Sequence, residues 1–111
     1  MIEISIKQYL DGHLSVPAFF EKPKNLPERY VLVEKTGGAE KNHISAATFA
    51  FQSYAGSMSE AAQLNDEVKR VIADLVQLDV ISAVALNGDY NFTDTATKKY
   101  RYQAVFDISH Y

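Results

Sequence analysis

The chain has 111 residues, with 14 acidic and 11 basic side chains, a net charge of −3 and no cysteine. That length supports one hydrophobic core, and so a single domain over residues 1–111. The missing cysteine excludes disulfides and thiolate metal sites, and the acidic balance argues against a non-specific grip on nucleic acid, which needs a basic face.

Residues 1–12 carry two patterns. Ile2, Ile4 and Ile6 alternate as in a strand, while Ile2, Ile6, Tyr9 and Leu10 share a helical face. A short helix is favoured, because Asp11-Gly12 is a good stop: glycine takes the C′ position without strain. Leu14, Val16, Ala18 and Phe20 then alternate, but Pro17 cannot donate to a ladder, so an edge strand or a broken one is expected. Pro23 and Pro27 fix a loop over 21–28. Tyr30-Val31-Leu32-Val33 is β-branched and aromatic and forms a strand core. Gly37-Gly38 is expected to end that strand, leaving a polar loop at 37–43.

Residues 44–54 read as a second strand, apolar on both faces: Ala47, Phe49 and Phe51 on one, Ile44, Ala46 and Ala50 on the other. Such a strand is covered twice or has one face against another subunit. A long helix is expected over 57–78. Ser57 and Glu60 make a capping box, and Ala61, Leu64, Val68, Val71, Ile72, Leu75 and Leu78 form one apolar stripe. Asp66 with Lys69 and Arg70, and Arg70 with Asp74, fall at ion-pair spacing on the solvated side. Residues 80–92 form a third long strand, interrupted by a turn or bulge at Asn87-Gly88. A loop at 93–97 leads into a last strand, 98–110. The expected fold class is α+β: a mostly antiparallel sheet, one long amphipathic helix packed on a face, and a short N-terminal helix.

Signals for chemistry are weak. His13, His43 and His110 lack metal-ligand spacing. The serines form no nucleophile motif, and Gly37-Gly38 with Lys41 lacks the rest of a phosphate loop. Asp89 and Asp94 read as turn residues rather than an acid–base pair. Asn91-Phe92-Thr93 matches a glycosylation sequon, but the N-terminal residues lack a basic start followed by an apolar run, so no signal peptide is expected. No stretch approaches the ~20 apolar residues of a membrane span. A soluble protein made in the cytoplasm, without cofactor or metal, is the expectation. The basic and aromatic run at 98–106, with Tyr90 and Phe92, suggests a base-stacking strand. It lacks the glycines of the usual RNA-binding strand motif, and Tyr100, Tyr102 and Phe106 share the face on which a helix-covered sheet needs core.

The order of FAFQSYA, SMSEAAQLNDEVKRVI, VALNGDYNFTD and a closing RYQAVFDIS resembles the tail terminator, or tail completion and head–tail joining, proteins of long-tailed bacteriophages and prophages. The likeness runs most clearly from Tyr30 to Ile108 and rests on packing motifs. It implies a non-catalytic virion protein of the tail or neck that forms a ring, typically a hexamer. The ring caps the tail tube, stops its polymerisation and meets the head connector. The implied partners are other copies of the chain, the tail tube protein and a connector protein, with no membrane and no specific nucleic-acid binding. Lys41, Asn42, His43, Tyr90, Phe92 and Asp94 are the candidate interface residues. A small nucleic-acid-binding module using the C-terminal strand, or another neck protein of similar fold, is the alternative.

Overall fold

The structure is a computed structural model that describes residues 1–41 and 44–111. The elements in chain order are helix α1 (Ile2–His13), strands β1 (Ala18–Phe19), β2 (Tyr30–Lys41) and β3 (Ile44–Ala55), helix α2 (Met58–Ala73), a 3-10 turn (Asp74–Gln77), and strands β4 (Ile81–Asn91) and β5 (Tyr100–His110). The strands form one sheet in the order β1-β2-β3-β5-β4, antiparallel except where β1 joins β2. The expected α+β class is observed, with a short N-terminal helix and a longer second helix that ends earlier than expected.

Helix α1 takes the helical reading of its ambiguous stretch. Ile2, Ile6 and Leu10 are buried, whereas Ile4 stands exposed. Strand β1 is only two residues long. Pro17 precedes it and offers only a carbonyl, which accepts a hydrogen bond from the Val31 amide at 3.0 Å, as its missing N–H requires.

Strand β2 is longer than its glycines suggest. It continues through Gly37-Gly38 to Lys41, and the register shifts between Lys35 and Gly37. The expected loop at 37–43 is therefore overturned up to Lys41. A glycine pair makes a turn by taking positive φ, but no glycine in the described chain does so. Here the pair accompanies a bulge, the other use of glycine in a strand. Asn87-Gly88 works the same way, marking a register shift between Leu86 and Gly88 in β4.

Helix α2 starts where expected: the Ser57 hydroxyl accepts from the Glu60 amide at 3.2 Å. No return bond from the Ser57 amide to the Glu60 carboxylate is found among the described residues, so half of the capping box forms. The helix gives way after Ala73 to the 3-10 turn. The apolar stripe nevertheless continues, because the turn still buries Leu75 completely. Ala61, Leu64, Val68 and Ile72 are buried with it, and Val71 and Leu78 are half-buried against the same core.

Both helices pack on one face of the sheet. That face supplies Val31, Val33, Ala47, Phe49, Phe51, Ala104, Phe106 and Ile108 to the core. Phe51 meets Phe49 at 6.1 Å and Phe106 edge-on at 6.0 Å between ring centroids. Strict alternation along β3 and β5 sends the remaining side chains to the opposite face. Among the described residues, no helix lies over that opposite face.

Candidate functional site

The uncovered face is built from alternate residues of four strands. Cross-strand register sets Tyr30 beside Tyr54 and Tyr54 beside Arg101; Leu32 beside Gln52, Gln52 beside Gln103, and Gln103 beside Tyr90; and Ala50 beside Val105. A sheet face left to solvent would be expected to carry charged and small polar groups. This one buries Tyr30, Ala50, Tyr54 and Gln103 almost completely, without any helix over them.

At one end the face is aromatic. The Tyr30 and Tyr54 rings stack at 4.7 Å with planes only 7° apart. Arg101 lies beside them. Its Nη1 donates to the Tyr54 hydroxyl at 2.8 Å and its Nε donates to the Phe92 carbonyl at 2.7 Å. The guanidinium carbon sits 4.3 Å from the Phe92 ring centroid and 5.7 Å from that of Tyr54. Lys22, from the loop before β2, approaches the same Tyr54 ring at 5.4 Å. Phe92 in turn meets Tyr90 edge-on at 5.9 Å. Burial pushes the Tyr30 phenol pKa up, helped by the neighbouring Tyr54 and opposed by Arg101.

A polar ladder continues along the face. The Gln52 side-chain amide donates to the Gln103 carbonyl oxygen at 2.8 Å, and the Tyr54 hydroxyl donates to Gln52 at 3.2 Å. The Gln103 side-chain amide in turn donates to the Tyr90 hydroxyl. Further along, the Asp107 carboxylate accepts from Thr48 Oγ1 at 2.8 Å and Asn87 Nδ2 at 3.0 Å. These bonds lock the side chains in place.

The expected interface residues split between the two ends of the molecule. Tyr90 and Phe92 belong to the aromatic patch. Asp94 borders it in the turn between β4 and β5, where its carboxylate accepts from the Ala96 and Thr97 amides at 3.1 and 3.4 Å. The Thr97 side chain first, then the Thr97 and Ala96 amides, hold its pKa below the usual carboxylate value. Lys41 pairs with Ile44 at the far end of the β2–β3 hairpin, about 33 Å from Tyr54 at ~3.3 Å per strand residue. Asn42 and His43 lie outside the described residues. Lys41 and Phe92 therefore cannot belong to one contact patch.

Sequence reasoning missed the centre of the site. Tyr30, Gln52, Tyr54, Arg101 and Gln103 carry it, yet only the two-sided apolar character of β3 and the parity of β5 hint at them. Asp89 also needs correction. It is not a turn residue but part of β4 on the helix-covered side, where Asn65 donates to it at 2.7 Å and Lys69 at 2.6 Å. Lys69 also pairs with Asp66 at 3.2 Å. The expected Arg70 pairs with Asp66 and Asp74 are not found among the described residues.

Away from this face, a cleft of about 420 Å³ lies between α1 and the start of β4, lined by Ser5, Gln8, Tyr9, His13, Leu78, Asp79 and Val80. Its histidine serves the helix end: Nδ1 lies 2.8 Å from the Tyr9 carbonyl oxygen, and the ring stacks on Tyr9 at 4.0 Å. Among the described residues no three His, Asp or Glu side chains converge to hold a metal ion. Among the described residues no helix is long and apolar enough to cross a membrane. No protein-family model matches the chain, and no curated protein matches it.

Proposed function

We propose that this chain is a structural assembly protein of a phage or prophage tail or neck, whose uncovered sheet face is its main contact surface. The observation that supports this most directly is the pair Tyr90 and Phe92, large aromatic side chains left 43% and 42% exposed on a face that no helix covers. The stacked tyrosines, Arg101 and paired amides resemble interface cores in their aromatic and arginine content, while Glu34 beside Ala50, and Asp107, put acids on the same face. In this reading the chain acts without bond chemistry. Copies of it form a closed ring, as homo-oligomers with head-to-tail contacts do when the rotation closes. The ring caps the tail tube, stops its growth and presents its other side to the head connector.

The sequence resemblance supplies the identity of the partners. The nucleic-acid alternative draws less support. Phe106 is buried in the core, and Tyr100 and Tyr102 fall on the same side of β5, so the aromatic residues of the 98–106 run do not form an open stacking platform.

The test is co-sedimentation of the purified protein with polymerised tail tubes of the cognate phage, read beside electron micrographs. Binding confined to tube ends, with arrested elongation, is expected. Tubes that elongate normally and pellet without the protein would overturn the proposal.

A further inference from the structure

We infer that the aromatic end of the uncovered face is an anchor for a carboxylate side chain of a protein partner, with Arg101 as the recognising group. This rests on the reading that a protein partner covers the face.

Arg101 is half-buried and held in one position by two hydrogen bonds and two aromatic rings. Both of its partners are neutral: a hydroxyl and a backbone carbonyl. Among the described residues it has no ion pair, and its Nη2 has no hydrogen-bond partner. A guanidinium presents five donors in a fixed fork suited to a carboxylate. Here Nε and one bond of Nη1 are used, and the outer edge of the fork is free. Lys22, at the same Tyr54 ring, also lacks a carboxylate partner among the described residues. Two cations beside one buried tyrosine ring attract an anion, and the fixed side chain loses little entropy on binding it.

The surroundings favour one carboxylate over a nucleic-acid backbone. Asp94 is at the rim and feels the Arg101 charge. Asp107 lies on the same face. Glu28 sits at the strand end, against Gly56. With a chain charge of −3, these acids would repel a row of phosphates, which needs a row of cations. Phe92 and Tyr90, both partly exposed, border the cation. The fitting ligand is therefore an apolar or aromatic segment carrying an isolated Asp or Glu.

The test is titration of the ¹⁵N-labelled full chain, followed by amide and Arg Nε resonances, with three probes. These are an acetylated Leu-Glu-Phe-Glu-Leu amide peptide, its Gln-for-Glu counterpart and an oligothymidylate single strand. The acidic peptide is expected to shift Arg101 Nε and the Tyr54 and Phe92 amides. Arg101→Lys and Arg101→Gln should each weaken it about tenfold or more, since lysine cannot reproduce the fork. If an Arg101 variant fails to fold, Lys22→Glu at the exposed loop gives the same comparison and should weaken binding severalfold. Equal binding of the Gln peptide, unchanged binding by the variants, tighter binding of oligothymidylate, or no binding of any probe would overturn the inference. Carboxylate binding with no capping of tail tubes would leave the anchor standing and overturn only the proposed function.

Discussion

The contact between α2 and β4 turns on the single carboxylate of Asp89. Lys69 lowers its pKa most, by a direct hydrogen bond, with help from Asn65. The same contact raises the Lys69 pKa. A lowered carboxylate pKa stabilises the fold above its unfolded value of 3.8 and loses that contribution as pH falls through the folded value. A raised ammonium pKa acts on the other side: its contribution is complete below 10.5 and is lost as pH rises through the folded value. Stability from this pair should therefore be flat across neutral pH and fall at both extremes. Denaturant unfolding of Asp89→Asn is expected to show a loss of about 1–2 kcal/mol at pH 7, at the low end for charged hydrogen bonds because the pair is partly exposed. Its stability should also fall less than the parent's on acidification. An unchanged acid slope would show that other carboxylates set it. Lys98 offers the opposite sign. It is the one non-glycine residue with positive φ among those described, at 54°. Lys98→Gly removes the left-handed strain, about 1–2 kcal/mol, against roughly 1 kcal/mol of added chain entropy. The expected outcome is a neutral to slightly raised Tm, whereas Lys98→Val should lower it.

At the scale of elements, α2 and its 3-10 extension hold the sheet by a continuous buried stripe. Leu75 is fully buried although it lies past the α-helix end. Leu75→Ala should therefore cost about 2–5 kcal/mol, seen as a Tm drop of ~10 °C or more. Ser57→Ala, which removes the one observed cap bond, should cost about 1 kcal/mol. A Leu75→Ala loss no larger than that of Ser57→Ala would mean that the turn can collapse around the missing side chain. Helix α2 is legible in the sequence because five apolar positions from Ala61 to Ile72 at a 3.6-residue period line up on one side of a helix and scatter over both faces of a strand. The glycine pairs are less legible. Gly-Gly and Asn-Gly serve turns and bulges alike, and only φ and the partner strand distinguish them. In β2 the ladder to β3 continues past the bulge, so pairing with a long neighbour outweighs the local break signal. Asp89 is hard to read for a related reason: its partners Asn65 and Lys69 are on another element, and no local pattern reports that contact. The open-face ladder is hidden in the same way, since Tyr30, Gln52, Gln103 and Tyr90 become neighbours only through register.

For the whole molecule, the proposed assembly makes the uncovered face the surface to perturb. Its middle is Ala50 and Val105, with Leu32 and the exposed Glu34 on the β2 side, bracketed by the Arg101 end and the Asp107 end. If this face is buried in an assembly, a charge at its centre is desolvated there but remains solvated in the free chain. Val105 is half-buried, opposite Ala50 and beside Gly88, where a longer side chain can leave the surface. Val105→Glu should leave the melting temperature of the isolated chain within a few degrees, as surface changes usually do. The same substitution should abolish both self-association in sedimentation velocity and end-binding to tail tubes. Leu86→Glu is the matched control. It adds the same charge to an exposed site on the helix-covered side of β4, and it should leave both properties intact. If Leu86→Glu disrupts assembly and Val105→Glu does not, the working surface is the β4 side of the sheet rather than the uncovered face. The aromatic burial of Tyr30 and Tyr54 would then be a local packing solution, with the stacked pair shielding one end of the sheet from water.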